Sequence, residues 1–509
     1  VTLADEAQAL DRFLRRQVDA EGGVQVHETP AAKVFVGAER VLKIKKPVDF
    51  GFLDFTTLAK REWAIRRELA FNRETAPDVY LGVHAVVRDA DGGLALRECE
   101  GATDDPDVIE WALEMRAFKG PVLADRPERV DGALAERLGR EAARLHGRAS
   151  ISTARRGAAV LDYVLTSNAD QLRSLGKTLD RDAVERLIAE SRAAFDALAP
   201  LLDRRGEAGL VRRCHGDLHL GNIVVEQDRP ILFDCIDFND ALSEIDVAYD
   251  LAFLLMDLVF RDRADAANRV LNAWTDEAAR SLGDAAFESL ALLPLCQSMR
   301  AAVRAHVSGH GGAGDMARAY VEAGLNHLAP SPPKLFAVGG LSGSGKSTLA
   351  RALAPSLGPA PGAVVLRSDE IRKRLWGVGP MDRLPKDAYS VEASQSVYGE
   401  MLSAARRSLR AGWAVVLDAA FLNPTERAAA EALGAELGLP FQGLWLQAPA
   451  EVLRQRVRDR VNDASDADVG VLEGQLARDV GEVSWLFVDA ARDLDAQVAT
   501  VWGNRKRQT

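Results

Sequence analysis

Along the last third of the chain, short apolar runs recur at Leu335–Val338, Val364–Leu366, Ala414–Leu417 and Gly443–Leu446, separated by stretches with apolar residues at helical spacing. Uninterrupted apolar runs of this length suit strands buried on both faces, and their alternation with helices predicts a parallel sheet covered on both sides. The amino-terminal part is patterned differently. Lys33–Val36 and Arg40–Lys45 read as paired strands around Gly37, a helix is expected from about Thr56 to Arg73, and Val83–Arg88 with Leu94–Arg97 reads as a second hairpin across Asp91-Gly92-Gly93. From Arg129 onward Leu134, Leu138, Ala142 and Leu145 keep a helical period, as does most of the sequence to Leu328. A short β insert is expected at Ile223–Glu226 and Ile231–Asp234. The pattern therefore predicts a small β-rich lobe, a large helical lobe and a separate α/β unit.

Three prolines in Ala329-Pro330-Ser331-Pro332-Pro333 prevent helix and sheet pairing and favour a stiff extended connector. Placing the boundary there gives one domain over residues 1–330, with a small lobe to about residue 115 and a large lobe from about 116, and a second over 331–509. A chain of 509 residues is longer than one hydrophobic core usually organises, which agrees. The formal net charge of −11 disfavours nucleic acid and anionic membranes as partners. Cys99, Cys214, Cys235 and Cys296 are too scattered for a disulfide framework and are expected to be buried thiols. Val1–Leu14 lacks the basic flank and apolar core of a secretory leader, and the run Leu251–Phe260 is short and broken by Asp257. A cytoplasmic location without a membrane partner is the expectation.

Two constellations carry chemistry. The first expected strand of the α/β unit runs into Gly340-Leu341-Ser342-Gly343-Ser344-Gly345-Lys346-Ser347, a complete Walker A loop, with a helix expected from Thr348. Its glycines let backbone N–H groups face phosphates, Lys346 reaches the outer phosphates, Ser347 holds magnesium, and Thr348 follows in the same turn. Asp369, in Ser368-Asp369-Glu370, sits at the end of the next strand, where a carboxylate could activate an acceptor hydroxyl, and Arg372 could grip the substrate. Asp418 ends the third strand and suits magnesium held through water. Arg454, Arg456, Arg458 and Arg460 lie along one helix-like segment before the polar stretch Asn462–Asp468, and Arg454 and Arg458, one turn apart, are the candidates to close on the transferring phosphoryl group.

The second constellation is His215-Gly216-Asp217-Leu218-His219-Leu220-Gly221-Asn222. Phosphoryl transfer needs a positioned acceptor and neutralised phosphates more than covalent chemistry. Asp217 could accept or orient the acceptor proton, and Asn222 could hold a metal through its amide oxygen. Asp234 would be the main carboxylate on magnesium, with Asp237 the competing choice. His215 is expected to brace the loop by hydrogen bonding.

This loop and the hairpin after it resemble the catalytic and metal-binding loops of aminoglycoside phosphotransferases and choline kinases, relatives of protein kinases, over roughly residues 34–255. The resemblance implies that Lys43, in Val41-Leu42-Lys43-Ile44-Lys45, contacts ATP phosphates with Glu68 as its ion-pair partner. Lys45, on the same strand face, is an alternative. It also implies a hinge near Trp111–Phe118. Gly216 stands where protein kinases carry arginine, and no GxGxxG loop precedes Lys43. Residues 334–501 resemble small P-loop kinases of the gluconate kinase, chloramphenicol phosphotransferase and zeta-toxin type. The order of the two halves resembles bacterial proteins described as bifunctional aminoglycoside phosphotransferase and ATP-binding proteins. Together these imply a multidomain α/β protein, with a bilobal protein-kinase-like α+β half and a P-loop half. The implied activity is transfer from ATP, with Mg2+, to a hydroxyl of a small sugar, amino sugar or aminoglycoside-like molecule. A P-loop half that only senses nucleotide, or that acts on a nucleotide sugar or nucleic-acid end, fits the same residues.

Overall fold

The computed structural model describes residues 3–19, 23–49, 54–89, 91–99, 101, 105–154, 157–461 and 463–505. The elements fall into two compact units: Val1–Arg129, Ala149–Val160 and Gly206–Asp246 form one, and Val130–Arg148, Leu161–Arg205 and Val247–Thr509 the other.

In the first unit, helix α1 (Leu3–Val18) precedes strands β1 (Gln25–Glu28), β2 (Ala32–Val36) and β3 (Arg40–Lys45). Helix α2 (Leu58–Thr75) follows, then β4 (Tyr80–Arg88), β5 (Leu94–Glu98) and β6 (Val108–Arg116). The strands make one antiparallel sheet in the order β1-β2-β3-β6-β4-β5. Alternation along β3 puts Leu42 and Ile44 into a core with Phe13, Leu14 and Phe35, and leaves Lys43 and Lys45 on the opposite face. Both expected hairpins are present, and the expected helix is shifted two residues, starting after its cap Thr57, whose side chain accepts from Lys60 N–H. Trp111 is not in a hinge: it lies inside β6 and is 1 % exposed. The connector starts at Ala117, and an added Cβ at Gly120 would meet the Val225 carbonyl oxygen at 2.0 Å, so only glycine fits there.

Short pairings complete this unit: β7 (Val211–Arg213) with β10 (Glu244–Asp246), and β8 (Ile223–Glu226) with β9 (Arg229–Leu232). The four-residue helix α6 (Asp240–Ser243) precedes β10.

The second unit contains the helices α3 (Gly132–Arg148), α7 (Val247–Phe260), α8 (Ala264–Leu282), α9 (Ala285–Glu288), α10 (Leu293–His310) and α11 (Gly314–Leu328), with most of α4 (Ala158–Ser174) and α5 (Arg181–Glu207). The apolar run 251–260 lies in α7, a core helix buried from Val247 to Leu258, and no helix among the described residues is long and apolar enough to cross a membrane. Gly139 lets α3 and α8 approach closely, since a Cβ there would lie 2.3 Å from the Val270 carbonyl oxygen. Residues 329–334 join α11 to strand β11 without helix or strand, as the prolines require. None of the four cysteines is in a disulfide among the described residues; Cys214, Cys235 and Cys296 are buried, whereas Cys99 is half-buried, contrary to expectation.

Beyond the prolines, β11 (Leu335–Gly340), α12 (Lys346–Leu353), β12 (Val364–Arg367), α13 (Ser368–Leu375), α14 (Val391–Arg410), β13 (Val415–Asp418), α15 (Pro424–Glu436), β14 (Phe441–Gln447), α16 (Ala450–Arg458), α17 (Val469–Leu476), β15 (Leu486–Asp489) and α18 (Leu494–Arg505) follow. The five strands are all parallel, in the order β12-β13-β11-β14-β15. The sheet has one strand more than the apolar runs indicate. Phe336, Val338, Leu444, Leu446 and Val488 face α12 residues Leu349, Ala350 and Leu353 in one core.

His327, on α11, is 7 % exposed, and burial depresses its pKa from 6.5 to about 4. A histidine whose folded pKa lies below its unfolded value contributes stability that is complete above pH 6.5 and is lost as the pH falls toward 4. The expected loss is about 3 kcal/mol. Urea unfolding between pH 7 and 4 should therefore flatten its pH slope in His327→Gln; an unchanged slope would remove His327 as the source.

Candidate active sites

Lys43 and Glu68 are brought together. Lys43 Nζ lies 2.6 Å from Glu68 Oε1 and 3.2 Å from Asp234 Oδ1, while Lys45 Nζ lies 2.7 Å from Glu68 Oε2 and 3.5 Å from Asp237 Oδ2. The alternation of β3 thus points two ammonium groups at one buried carboxylate on α2. Burial by itself would raise the Glu68 pKa, but Lys43 and Lys45 outweigh it and bring it to about 2. Burial by itself would lower the Lys43 pKa, and Asp234 and Glu68 instead hold it well above the ordinary lysine value. Asp237 is 6 % exposed, and burial raises its pKa to about 6, only partly opposed by Lys45. Asp234, by contrast, has a half-exposed side chain.

Asp234 does not end a strand as expected. β9 stops at Leu232, and Asp234 adopts a left-handed conformation, φ 61°, with its N–H donating to the Tyr80 hydroxyl at 3.1 Å. Asx residues tolerate that region better than most, and the turn separates the directions of Asp234 and Asp237. The loop from His215 is held from within. Asp217 N–H donates to His215 Nδ1 at 3.3 Å, and His215 Nε2 bonds the Phe233 carbonyl at 2.9 Å, so this imidazole braces the loop against the segment carrying Asp234. The Asn222 amide nitrogen donates to Asp217 Oδ2 at 2.8 Å and to the Asp217 carbonyl at 3.0 Å, which leaves its oxygen for a cation. His219 Nδ1 accepts from Gly221 N–H at 2.9 Å, and its Nε2 lies 3.4 Å from Asp217 Oδ2.

In the second unit the Walker loop joins β11 to α12. Gly340, Gly343 and Gly345 have φ of 138°, 80° and 86°, and an added Cβ at Gly345 would meet no atom within 4 Å, leaving an open concavity ahead of the helix. Lys346 opens α12, with Ser347 and Thr348 next in its first turn. Lys346 Nζ donates to the Leu341 carbonyl at 2.9 Å, and burial lowers its pKa against the opposing pull of Asp418 and Asp369. The Ser344 Oγ and Arg460 Nη1 atoms are buried with no hydrogen-bond partner among the described residues. Those are polar groups a phosphate could satisfy.

Asp369 lies in the first turn of α13, two residues beyond the strand end where it was expected, and burial raises its pKa. Asp418 does end β13, is 4 % exposed and stands opposite Arg367 in the sheet register. Arg367, which the sequence did not single out, binds three carboxylates: Asp418 at 3.2 Å, Glu370 at 2.9 Å and Asp463 at 3.3 Å. Arg372 is buried, donating to the Ala388 carbonyl and lying 4.8 Å from the Tyr389 ring centroid, with its Nε lacking a partner among the described residues. The arginine row is only partly one helix, since α16 ends at Arg458 and leaves Arg460 beyond it. Arg454 is paired on the surface with Glu473 at 2.6 Å, and Arg458 is exposed. Arg460 is the member whose charge bears on Lys346.

Two further residues escaped the sequence reading. Gln475 Oε1 accepts from Ser342 N–H at 2.8 Å, tying α17 to the Walker loop. Asp466 accepts from Leu384 N–H at 3.0 Å and from the Tyr389 hydroxyl at 2.8 Å, and pairs with Lys373 at 3.2 Å, so the polar loop is fastened to the segment after α13. Asn462, the first residue expected in that loop, lies outside the described residues. A cavity of about 630 Å³ lies beside this region, between Leu341, Trp445, Leu453, Gln475, Arg478 and Phe487.

A lysine–glutamate pair beside an HGDxxxxN loop, and a glycine-lined turn between a central parallel strand and its helix, define a phosphotransferase with two kinase-type domains. Residues 51–285 match the phosphotransferase enzyme family, and residues 335–479 match an AAA domain family. Uncharacterized proteins of Mycobacterium tuberculosis and Mycobacterium bovis are 31% identical over 475 residues, 91% of this chain and 91% of theirs, and the chain belongs to their family. An adenylyl-sulfate kinase of Myxococcus xanthus is 32% identical over 143 residues, 28% of this chain and 69% of that one. A choline/ethanolamine kinase family protein from Mesorhizobium loti, of known structure, shares 16% identity over 64% of this chain and 99% of its own, with a TM-score of 0.34.

Proposed function

We propose that this protein transfers the γ-phosphoryl group of ATP to hydroxyl groups of small metabolites, with nucleotide bound in both halves, residues 1–330 and 331–509. The observation that carries the reading is the open Walker turn, with Gly343 and Gly345 left-handed and Lys346 opening α12 behind them. In the first half, Lys43 and Glu68 are the candidates to fix the phosphates, with Lys45 as the second ammonium on the same carboxylate. Asp217 takes or orients the acceptor proton, held by Asn222. Asn222, Asp234 and Asp237 offer the oxygen atoms that magnesium favours. In the second half, Ser347 and Asp418 are the metal side, Asp369 faces the acceptor, Arg372 is the candidate to grip the substrate, and Arg460 is the arginine of the row whose charge acts on Lys346. Bound magnesium would neutralise charge on the phosphate oxygens. Arg454 and Arg458 are the arginines proposed to close on the transferring phosphoryl group: α16, which carries them, already packs on the Walker turn, an added Cβ at Gly343 lying 2.7 Å from the Leu453 carbonyl oxygen, so closure needs Arg454 to leave Glu473 rather than the helix to move.

The acceptor class is a hydroxylated sugar, amino sugar or polyol. ATP consumption across a panel of aminoglycosides, amino sugars and polyols should reveal acceptors whose phosphorylation is lost in either Asp217→Asn or Lys346→Ala. A panel on which both variants match the parent would overturn the proposal.

A further inference from the structure

Within the second unit, helices α3 and α8 pack against β12, α12 and α13, the elements that carry Arg367, Lys346 and Asp369. β12 is an edge strand of its sheet. Its outward backbone is capped by α8: Asn272 Oδ1 accepts from Val365 N–H at 2.6 Å, and the Asn268 and Asn272 amides donate to the Ala363 carbonyl at 3.0 and 3.2 Å. Arg374 on α13 pairs with Asp276 on α8, and Arg280 donates to the Val378 carbonyl at 2.9 Å. The acceptor side of the Walker half is therefore built directly on α8.

An ion-pair chain runs through the same junction. Glu136 on α3 lies 3.3 Å from Arg269 and 3.3 Å from Arg351. Arg351, on the Walker helix, has a second carboxylate in reach, Glu370 at 4.0 Å. Glu370 already receives Arg367 at 2.9 Å, and Arg367 is what holds Asp418 at 3.2 Å. These groups are largely shielded: the side chains of Arg367 and Glu370 are 6% and 16% exposed. Competition for one carboxylate at such a junction is felt more strongly than at an open surface.

We propose that Glu136 is a positioning residue for the Walker site: by engaging Arg351 it leaves Glu370 to Arg367, and so fixes Asp418 at the end of β13. The proposal rests on the reading of the Walker half as a nucleotide site. Without the Glu136 charge, Arg351 turns to Glu370, Arg367 loses part of its anchor and Asp418 its tether. Removing Arg351 as well removes the competitor, so the second substitution rescues the first. The readout is nucleotide affinity of the folded chain, which a role in stability alone would leave at the parent's value.

The test is calorimetric titration of the full chain with Mg·AMP-PNP, in a Lys43→Ala background that weakens the first site. Glu136→Gln should weaken binding about fivefold, Arg351→Gln should stay within about twofold of the parent, and the double variant should return to that level. Parent-like binding by Glu136→Gln overturns the proposal, as does a double variant no tighter than Glu136→Gln. Should Glu136→Gln fail to fold, Glu370→Gln decides: it should lose affinity without recovery on adding Arg351→Gln, and either full affinity or recovery overturns the chain. Lys346→Ala is the reference. Binding unaffected by Lys346→Ala overturns the nucleotide reading together with the proposal, whereas sensitivity to Lys346→Ala with none to Glu136→Gln overturns the proposal alone.

Discussion

Asn in place of Asp217 should reduce phosphoryl transfer at the first site by about 10²–10⁴-fold at saturating acceptor, the range associated with losing a positioned general base. The change is close to isosteric. Asn222 can still donate to the residue 217 carbonyl, and the brace from His215 to the Phe233 carbonyl is untouched, so the loop should keep its shape. What disappears is the carboxylate proposed to orient the acceptor hydroxyl and take its proton. The effect should therefore fall on kcat, with little change in nucleotide affinity, and a single-turnover assay on any acceptor found in the panel separates the two. A variant that kept the parent's rate constant on every such acceptor would remove Asp217 from the chemistry.

Lys346→Ala should weaken nucleotide binding in the Walker half by about 10- to 100-fold, the consequence of losing a charge-assisted contact to phosphate. Lys346 Nζ now donates to the Leu341 carbonyl, within its own loop, and burial already lowers its pKa. A ligand that offers phosphate oxygens gives that buried ammonium a stronger partner than a neutral carbonyl. Two-site calorimetry should show one binding event weakened and the other unchanged. If both events persisted at parental affinity, the Walker turn would not be a nucleotide site.

Much of this molecule was legible because its cues are local. The period-two alternation in Arg40–Lys45 put Lys43 and Lys45 on one face, and the family resemblance supplied Glu68, which both lysines meet. The glycines of residues 340–345 announce a turn that only a strand and a helix could flank. The prolines of residues 329–334 likewise marked a stretch without helix or strand. What escaped depends on register or on distant partners. Arg367 became a hub only because parallel pairing sets it opposite Asp418, a relation that no spacing within either strand displays. The regular spacing of Arg454 and Arg458 gave a face but not its occupant, and Glu473, on α17, claims Arg454. β15 is four residues long with Phe487 half-exposed, too brief for an apolar run to stand out. α1 was not read as a helix at all. The left-handed turn at Asp234 arises from how the chain leaves β9, and composition gives no sign of it.

The asparagine cap on β12 bears on how this polypeptide could be divided. Severed at its prolines, the carboxyl-terminal piece would lose Asn268 and Asn272 and present the Val365 amide and Ala363 carbonyl as an open ladder, ready to accept a strand from any neighbouring molecule. The helix ahead of the prolines thus closes an edge that the sheet behind them does not close for itself.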